Sequence, residues 1–320
     1  MSFEIDLSHL QDVLLKLLKT PSPTGNTEAA IALVEAEFAA LGLATRRTVK
    51  GSLLATMPGV QPAPARAVTA HVDTLGGMVK EIKDDGRLLV SNLGGYYPGS
   101  IAGEYCTIET ADGQHYSGTV LLEKQSVHIH PVSEVHEAAQ KLATVEVRVD
   151  ARTASREETE ALGIQVGDFI SWDPRARLTD TGFVKSRHLD DKAGVVSVLA
   201  AARAMVHHHI RPAQTTYFYI SNYEEVGHGA AAGIPPEVEE LLVVDMGVVG
   251  EGQAGDEFGV SICAKDSSGP YDLQMRRKLV SLAKDAGIPY HLDIYVRYGP
   301  DGSVALLARA DVRVGMVGPV

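Results

Sequence analysis

Cysteine is scarce: Cys106 and Cys263 are the only two. Two cysteines so far apart make no disulfide framework and exclude a thiolate-rich metal site, so a reducing cytoplasm is the natural setting. No apolar run approaches the roughly 20 residues that a membrane helix needs. The opening Met1-Ser2-Phe3-Glu4-Ile5-Asp6 has neither a basic nor an apolar stretch, so no secretion signal is expected. Basic blocks are missing and the formal charge is −12, which argues against a nucleic-acid partner. Gly94-Gly95 and Gly302 lie in no dinucleotide fingerprint, and there is neither a phosphate loop nor a Gly-x-Ser-x-Gly elbow. Nucleotide binding and serine-hydrolase chemistry are therefore set aside.

What is present has the balance of a globular protein long enough for one large domain or two ordinary ones, without internal repeats. Leu10, Val13, Leu14, Leu17 and Leu18 repeat at helical spacing, and Pro21-Ser22-Pro23-Thr24-Gly25 breaks the chain after them. A second helix is expected from about Thr27, with Gly42 near its end, then a strand at Leu53–Met57 and another running into His71. From residue 80 to 179 glycine turns alternate with short β-branched runs such as Val127-His128-Ile129-His130 and Val145-Glu146-Val147-Arg148-Val149. That texture predicts a small β-barrel or sandwich with one helical patch near Val132–Leu142. Helices and strands then alternate to the end: a helix over Lys192–His208, strands at Thr215–Ser221, Leu241–Asp245 and Val260–Ala264, a helix over Tyr271–Ala286, a strand at Tyr290–Tyr298, a helix from Ser303, and a strand at Val312–Val317. The expectation is an α/β domain built from residues 1–79 and 180–320, interrupted by an all-β domain at 80–179.

Four acidic words occur in order: His71-Val72-Asp73, Asp190-Asp191, Glu224-Glu225 and Asp245. Three of them end apolar runs, and strand ends of an open α/β sheet are where ligands collect. Buried carboxylates crowded together need a cation. Imidazole is a common metal ligand, and Asp73, two residues on, suits either the partner that sets its tautomer or the turn closing the strand. Asp190-Asp191 before an apolar helix is most often an N-cap, although a carboxylate so placed could also bridge two cations. The adjacent Glu224 and Glu225, leaving a strand in opposite directions, allow one to bind metal while the other holds a water and takes its proton. One imidazole with several carboxylates suits Zn²⁺, Co²⁺ or Mn²⁺. His207-His208-His209 reads as a solvated helix end, and His128, His130 and His136 as surface or barrel histidines.

These words resemble those of the TET-type (tetrahedral) aminopeptidases, a co-catalytic dimetal family that includes glutamyl aminopeptidases and proteins once labelled endoglucanases. The likeness lies in Thr69-Ala70-His71-Val72-Asp73-Thr74-Leu75-Gly76, His188-Leu189-Asp190-Asp191-Lys192-Ala193-Gly194, Asn222-Tyr223-Glu224-Glu225-Val226-Gly227, Val244-Asp245 and Tyr298-Gly299-Pro300-Asp301-Gly302-Ser303. It implies a mixed-sheet metallopeptidase domain with an inserted PDZ-like or barrel dimerisation domain, dimers assembling to a dodecamer, and peptide substrates. It also implies that Asp190 bridges two divalent ions across a cis peptide to Asp191. His71 and Asp245 would complete one metal, Glu225 would bind the other, and Glu224 would be the general base, with Asp73 in the catalytic set. Thr74 stands where the family commonly has an acid, and the family's final histidine ligand has no counterpart before Val320. Either the sequence is cut just before that ligand or the second site is incomplete, and the residues present lead to the expectation of an occupied first site and a poor or empty second. Two rival classes are a glycosidase working with a carboxylate pair and no metal, and a metal-binding relative without catalysis. Specificity is expected to depend on loops around Asp266-Ser267-Ser268 and Pro300-Asp301, which also leaves a deacylase open.

Overall fold

The computed structural model describes residues 5–319. Two compact units emerge, one of Met1–Thr20, Thr27–Asp73 and Ala176–Val320, the other of Pro21–Asn26 and Thr74–Arg175. The second begins a few residues before the expected boundary because its first strand starts at Gly76. Pro21–Asn26 belongs with it through the Pro23–Thr74 bridge, where Thr24 N–H donates to Thr74 O at 3.2 Å and Thr74 N–H to Ser22 O at 2.9 Å.

The first unit opens with α1 (Leu7–Lys19), α2 (Glu28–Ala40), β1 (Ala44–Arg47), β2 (Leu53–Met57) and β3 (Gln61–His71). Asp6 caps α1 by accepting the His9 N–H at 3.1 Å. β1 went unforeseen because Ala44-Thr45-Arg46-Arg47 is polar; it is an edge strand paired with β2 alone.

The second unit is a closed barrel of β4 (Gly76–Ile82), β5 (Leu88–Leu93), β6 (Tyr105–Glu109), β7 (His115–Leu122), β8 (Val145–Val149) and β9 (Phe169–Trp172), in the order β4-β5-β8-β7-β6-β9. All its pairings are antiparallel. Alternate residues such as Val79, Val120, Val147 and Ile170 fill the interior. Two helices, α3 (Val132–Ala138) and α4 (Arg156–Glu160), lie on its connections. The expected strand through Val127-His128-Ile129-His130 is instead a run of turns, with Val127, His128 and Ile129 exposed. Alternating residue types there reflect no buried face.

Returning to the first unit, the chain makes a short ribbon, β10 (Arg177–Leu178) with β11 (Val184–Lys185), then α5 (Leu189–His207), β12 (Gln214–Ser221), β13 (Val238–Val244), β14 (Val260–Lys265), α6 (Leu273–Ala286), β15 (Tyr290–Ile294), α7 (Asp301–Leu307) and β16 (Arg313–Gly318). β15 stops short of Tyr298 because its pairing with β14 ends at Ile294. The eight-stranded sheet runs β1-β2-β12-β3-β13-β16-β14-β15. It is mixed, with β12, β3, β13 and β16 forming a parallel centre. Helices cover both faces, which is why the central strands read as continuous apolar runs. Side chains alternate accordingly: Phe218 and Ile220 join Val34, Phe38, Val195 and Leu199 on one face, while Tyr219 joins Leu241, Val314 and Ala305 on the other. Lys192, buried in the first turn of α5, donates to Leu17 O at 3.0 Å and Thr20 O at 2.7 Å. It thereby adds a donor at the C-terminal end of α1, where the Thr20 N–H also reaches Leu17 O at 3.1 Å, and burial pushes its pKa down to about 7.

Among the described residues no helix is long and apolar enough to cross a membrane. Phe38 of α2 is fully buried and stacks on Phe218 of β12 with centroids 5.5 Å apart. Phe38→Ala should therefore cost about 3–5 kcal/mol, read as a lower urea midpoint with an unchanged m-value.

Candidate metal centre

Parallel pairing brings three strand ends to one edge of the sheet. β12 and β13 flank β3, and His71 at the end of β3 is level with Ser221 at the end of β12. The residues that follow these strands must therefore meet, as switch-point geometry in open sheets dictates. Asp245 directly follows β13, and Glu224 and Glu225 follow β12 after Asn222 and Tyr223. Glu224 and Glu225 are thus not part of the strand itself. They occupy one 3₁₀ turn, Glu224–Val226, so both side chains belong to the same tight bend.

His71 is the centre of the cluster and is buried, as are Asp73, Asp191 and Asp245. Its Nδ1 lies 3.0 Å from Asp73 O and 3.5 Å from Asp73 Oδ1. A proton on Nδ1 satisfies Asp73 and leaves the Nε2 lone pair to face the acids. Nε2 is 3.1 Å from Asp190 Oδ1 and 3.7 Å from Glu224 Oε2. Ligand atoms of His71, Asp190 and Asp245 all lie within 4.8 Å of one another. An imidazole nitrogen and two carboxylate oxygens at that separation fit a borderline divalent ion. Glu225 stands beside this triad rather than in it.

Asp73 does more than orient the imidazole. Its Oδ1 accepts the Glu224 N–H at 3.1 Å and its Oδ2 the Glu225 N–H at 3.3 Å. One carboxylate thus ties the end of β3 to the turn that carries both glutamates. Asp191 has a parallel task, of which the sequence offered the helix cap but not the long-range bond to the His71 N–H. Its Oδ2 accepts the His71 N–H and its Oδ1 the Gly194 N–H, each at 3.1 Å. That makes it the true cap of α5, whose Asp190 and Asp191 are non-helical and joined by a cis peptide. Gly194 is required here, since a Cβ would sit 2.1 Å from Asp191 Oδ1.

Asp301 was also missed as a structural acid. It is buried, accepts from Ser221 Oγ, and takes the Ala230 N–H at 2.7 Å. It pins the end of β12 to the loop after the glutamates. Asp266 is likewise internal, accepting from Ser268 N–H at 2.7 Å and Tyr271 hydroxyl at 2.9 Å. The signal available for both was an acid among small residues, which a single sequence cannot separate from a turn. His207 and His208 are exposed at the end of α5, as the solvated-end reading expects.

Packing these acids together has an electrostatic cost. Burial raises the Glu224 pKa to about 9, with Asp245, Asp301 and Glu225 adding to it and His71 opposing. Burial and neighbouring carboxylates likewise raise Glu225 to about 8 and Asp245 to about 7. Asp191 is driven well up, by burial first and the Asp245 charge second. Burial works against the His71 imidazolium, but Glu224, Asp190 and Asp73 outweigh it and lift its pKa well above the ordinary value. The chain's own groups therefore retain protons that a divalent cation would displace.

A sequence model of the M42 glutamyl aminopeptidase family matches residues 51–320. YhfE of Bacillus subtilis (strain 168) is 48% identical over 308 residues, covering 96% of this chain and 88% of its own length. The lysyl aminopeptidase of Pyrococcus furiosus is 30% identical over 193 residues, covering 59% of this chain and 52% of its own length. Among solved structures, the aminopeptidase APDkam598 of Desulfurococcus kamchatkensis shares the fold with a TM-score of 0.85 at 24% identity, covering 97% of this chain and 86% of its own. PhTET1-12s, described as a dodecamer, has a TM-score of 0.82 at 21% identity, with 97% and 90% covered.

The raised acids set a pH dependence. Unfolded, Glu224 and Glu225 titrate near 4.5; folded, they titrate near 9 and 8. The native state holds protons that the unfolded chain has released, so these groups lower stability progressively as pH rises from about 4.5 to 9. Urea melts of chelated protein should show that decline, and Glu224→Gln should lessen it. Saturating Zn²⁺ should cancel it, because binding to the native state alone adds stability. Asp73→Asn, which puts an amide against the two glutamate N–H groups, should weaken Zn²⁺ binding about 10–100-fold by calorimetry.

Proposed function

The chain belongs to the M42 glutamyl aminopeptidase family, and from that membership and the acids around His71 we propose that it removes N-terminal residues from peptides with two divalent ions, Zn²⁺ or Co²⁺. The family, and relatives that carry the aminopeptidase name, make it a peptidase. The observation that carries the metal reading is the convergence of His71, Asp190 and Asp245 donor atoms within 4.8 Å. In this reading His71 and Asp245 would hold one ion and Glu225 the other, with Asp190 a ligand shared between them.

When bound, the ions lower the pKa of a water and polarise the scissile carbonyl. The rest of the chemistry falls to the chain. Glu224, the acid held 3.7 Å from His71 Nε2, accepts the water proton and returns it to the departing amine. With cations bound its proton would be displaced, leaving a carboxylate able to take the proton and give it back. Asp73 keeps Glu224 in place through the backbone N–H and keeps the imidazole in one tautomer. A glycosidase reading leaves the buried imidazole without a role.

Assembly is the second part of the proposal. The dodecamer among the structural neighbours supports a homo-oligomer in which the barrel of β4 to β9 mediates dimer contacts.

Glu224→Gln should lower turnover of aminoacyl-amide substrates about 10²–10⁴-fold, the usual share of a general base, while Zn²⁺ affinity stays within about twofold. Equal turnover in mutant and parent would remove Glu224 from the chemistry.

A further inference from the structure

Asp245 opens the turn after β13, and its main chain is held on both sides. Its N–H donates to Val317 O at 3.2 Å, and the Gly247 N–H donates to Pro319 O at 2.6 Å. Gly318 lies against the Asp245 backbone so closely that any Cβ would collide with it. One carboxylate oxygen, Oδ1, is committed to the Met246 N–H at 2.6 Å. What remains is the Met246 carbonyl and the outward side of the carboxyl.

Tyr298 meets both. Its hydroxyl donates to Met246 O at 2.9 Å. The ring packs edge-on against the buried Tyr295, with centroids 5.3 Å apart. Its own carbonyl accepts from the Ser267 N–H at 3.0 Å and from Ser267 Oγ at 2.5 Å. Anchored at ring and main chain, the residue delivers its phenol oxygen to a fixed point. The phenolic hydrogen can rotate between neighbouring acceptors. Burial, then the charges of Asp245, Asp190 and Asp191, raise the pKa of Tyr298.

We infer that Tyr298 is a positioning residue of the metal centre, clamping the Asp245–Met246 turn so that the free carboxylate oxygen of Asp245 faces His71 and Asp190. The inference rests on the metal reading above. Ligand carboxylates are themselves held by hydrogen bonds, and losing such a partner weakens metal binding about 10–100-fold. The phenol proton goes to the Met246 carbonyl and so holds the turn that carries Asp245.

Calorimetric titration with Zn²⁺ and Co²⁺ compares the parent chain, Tyr298→Phe and Tyr295→Phe. The expected result is at least a tenfold weaker affinity for Tyr298→Phe, an altered visible spectrum of its Co²⁺ form, and parental affinity for Tyr295→Phe. Parental affinity in Tyr298→Phe overturns the inference, whatever happens to turnover; a fall in kcat alone would make the phenol a substrate contact instead. A parent chain that binds neither ion overturns the metal reading with it. Should Tyr298→Phe fold poorly, a ring-fluorinated tyrosine at position 298 keeps the hydrogen bond. Its fluorine resonance must move when Zn²⁺ is added to support the clamp, and a stationary resonance overturns it.

Discussion

Mutual repulsion among carboxylates gathered around one buried imidazole is the constraint on which the rest of this structure depends. His71 faces Asp190 at 3.1 Å and Glu224 at 3.7 Å, with Asp245 completing a triad of donor atoms. Taken out of water, acids so close together cannot all remain charged without a cation. The fold spends its polar interior on holding them there. Asp73, Asp191 and Asp301 are buried acids that bond backbone N–H groups of the site loops. Each is satisfied locally, as buried polar groups must be.

The parallel centre of the sheet makes this convergence possible. In a β12-β3-β13 arrangement all three strands deliver their C-termini to the same edge. The first residues beyond them then meet without long loops. α5 supplies the fourth word from its N-terminus, where Asp191 rather than Asp190 caps the helix. Asp190 is left half-exposed beside His71 Nε2. Lys192 ties that same turn to the end of α1. Ligand geometry and core packing thus share the same few residues.

Much of this was legible in the sequence, for physical reasons. Central parallel strands are buried on both faces, so β3, β12 and β13 show as apolar runs, and an acid ending such a run marks the ligand edge. Glycine-spaced short strands marked the barrel. The failures are equally physical. β1 is an edge strand with a polar composition, and Val127-His128-Ile129-His130 alternates without any sheet to face. Glu224 and Glu225 share a 3₁₀ turn because Asp73 takes both their N–H groups, a long-range bond invisible to local pattern. The same holds for Asp301, whose partners Ser221 and Ala230 are far away in sequence. Tyr298 opens one of the family-like stretches, but nothing local tells what it bonds, since that depends on where the turn after β13 lies.

The most direct test of a metal centre built on His71 is anomalous diffraction from crystals equilibrated with Zn²⁺. A peak in contact with His71 Nε2 and with carboxylate oxygens of Asp190 and Asp245 is the predicted result. Peaks confined to other positions, such as the exposed His207-His208-His209 at the end of α5, would contradict it.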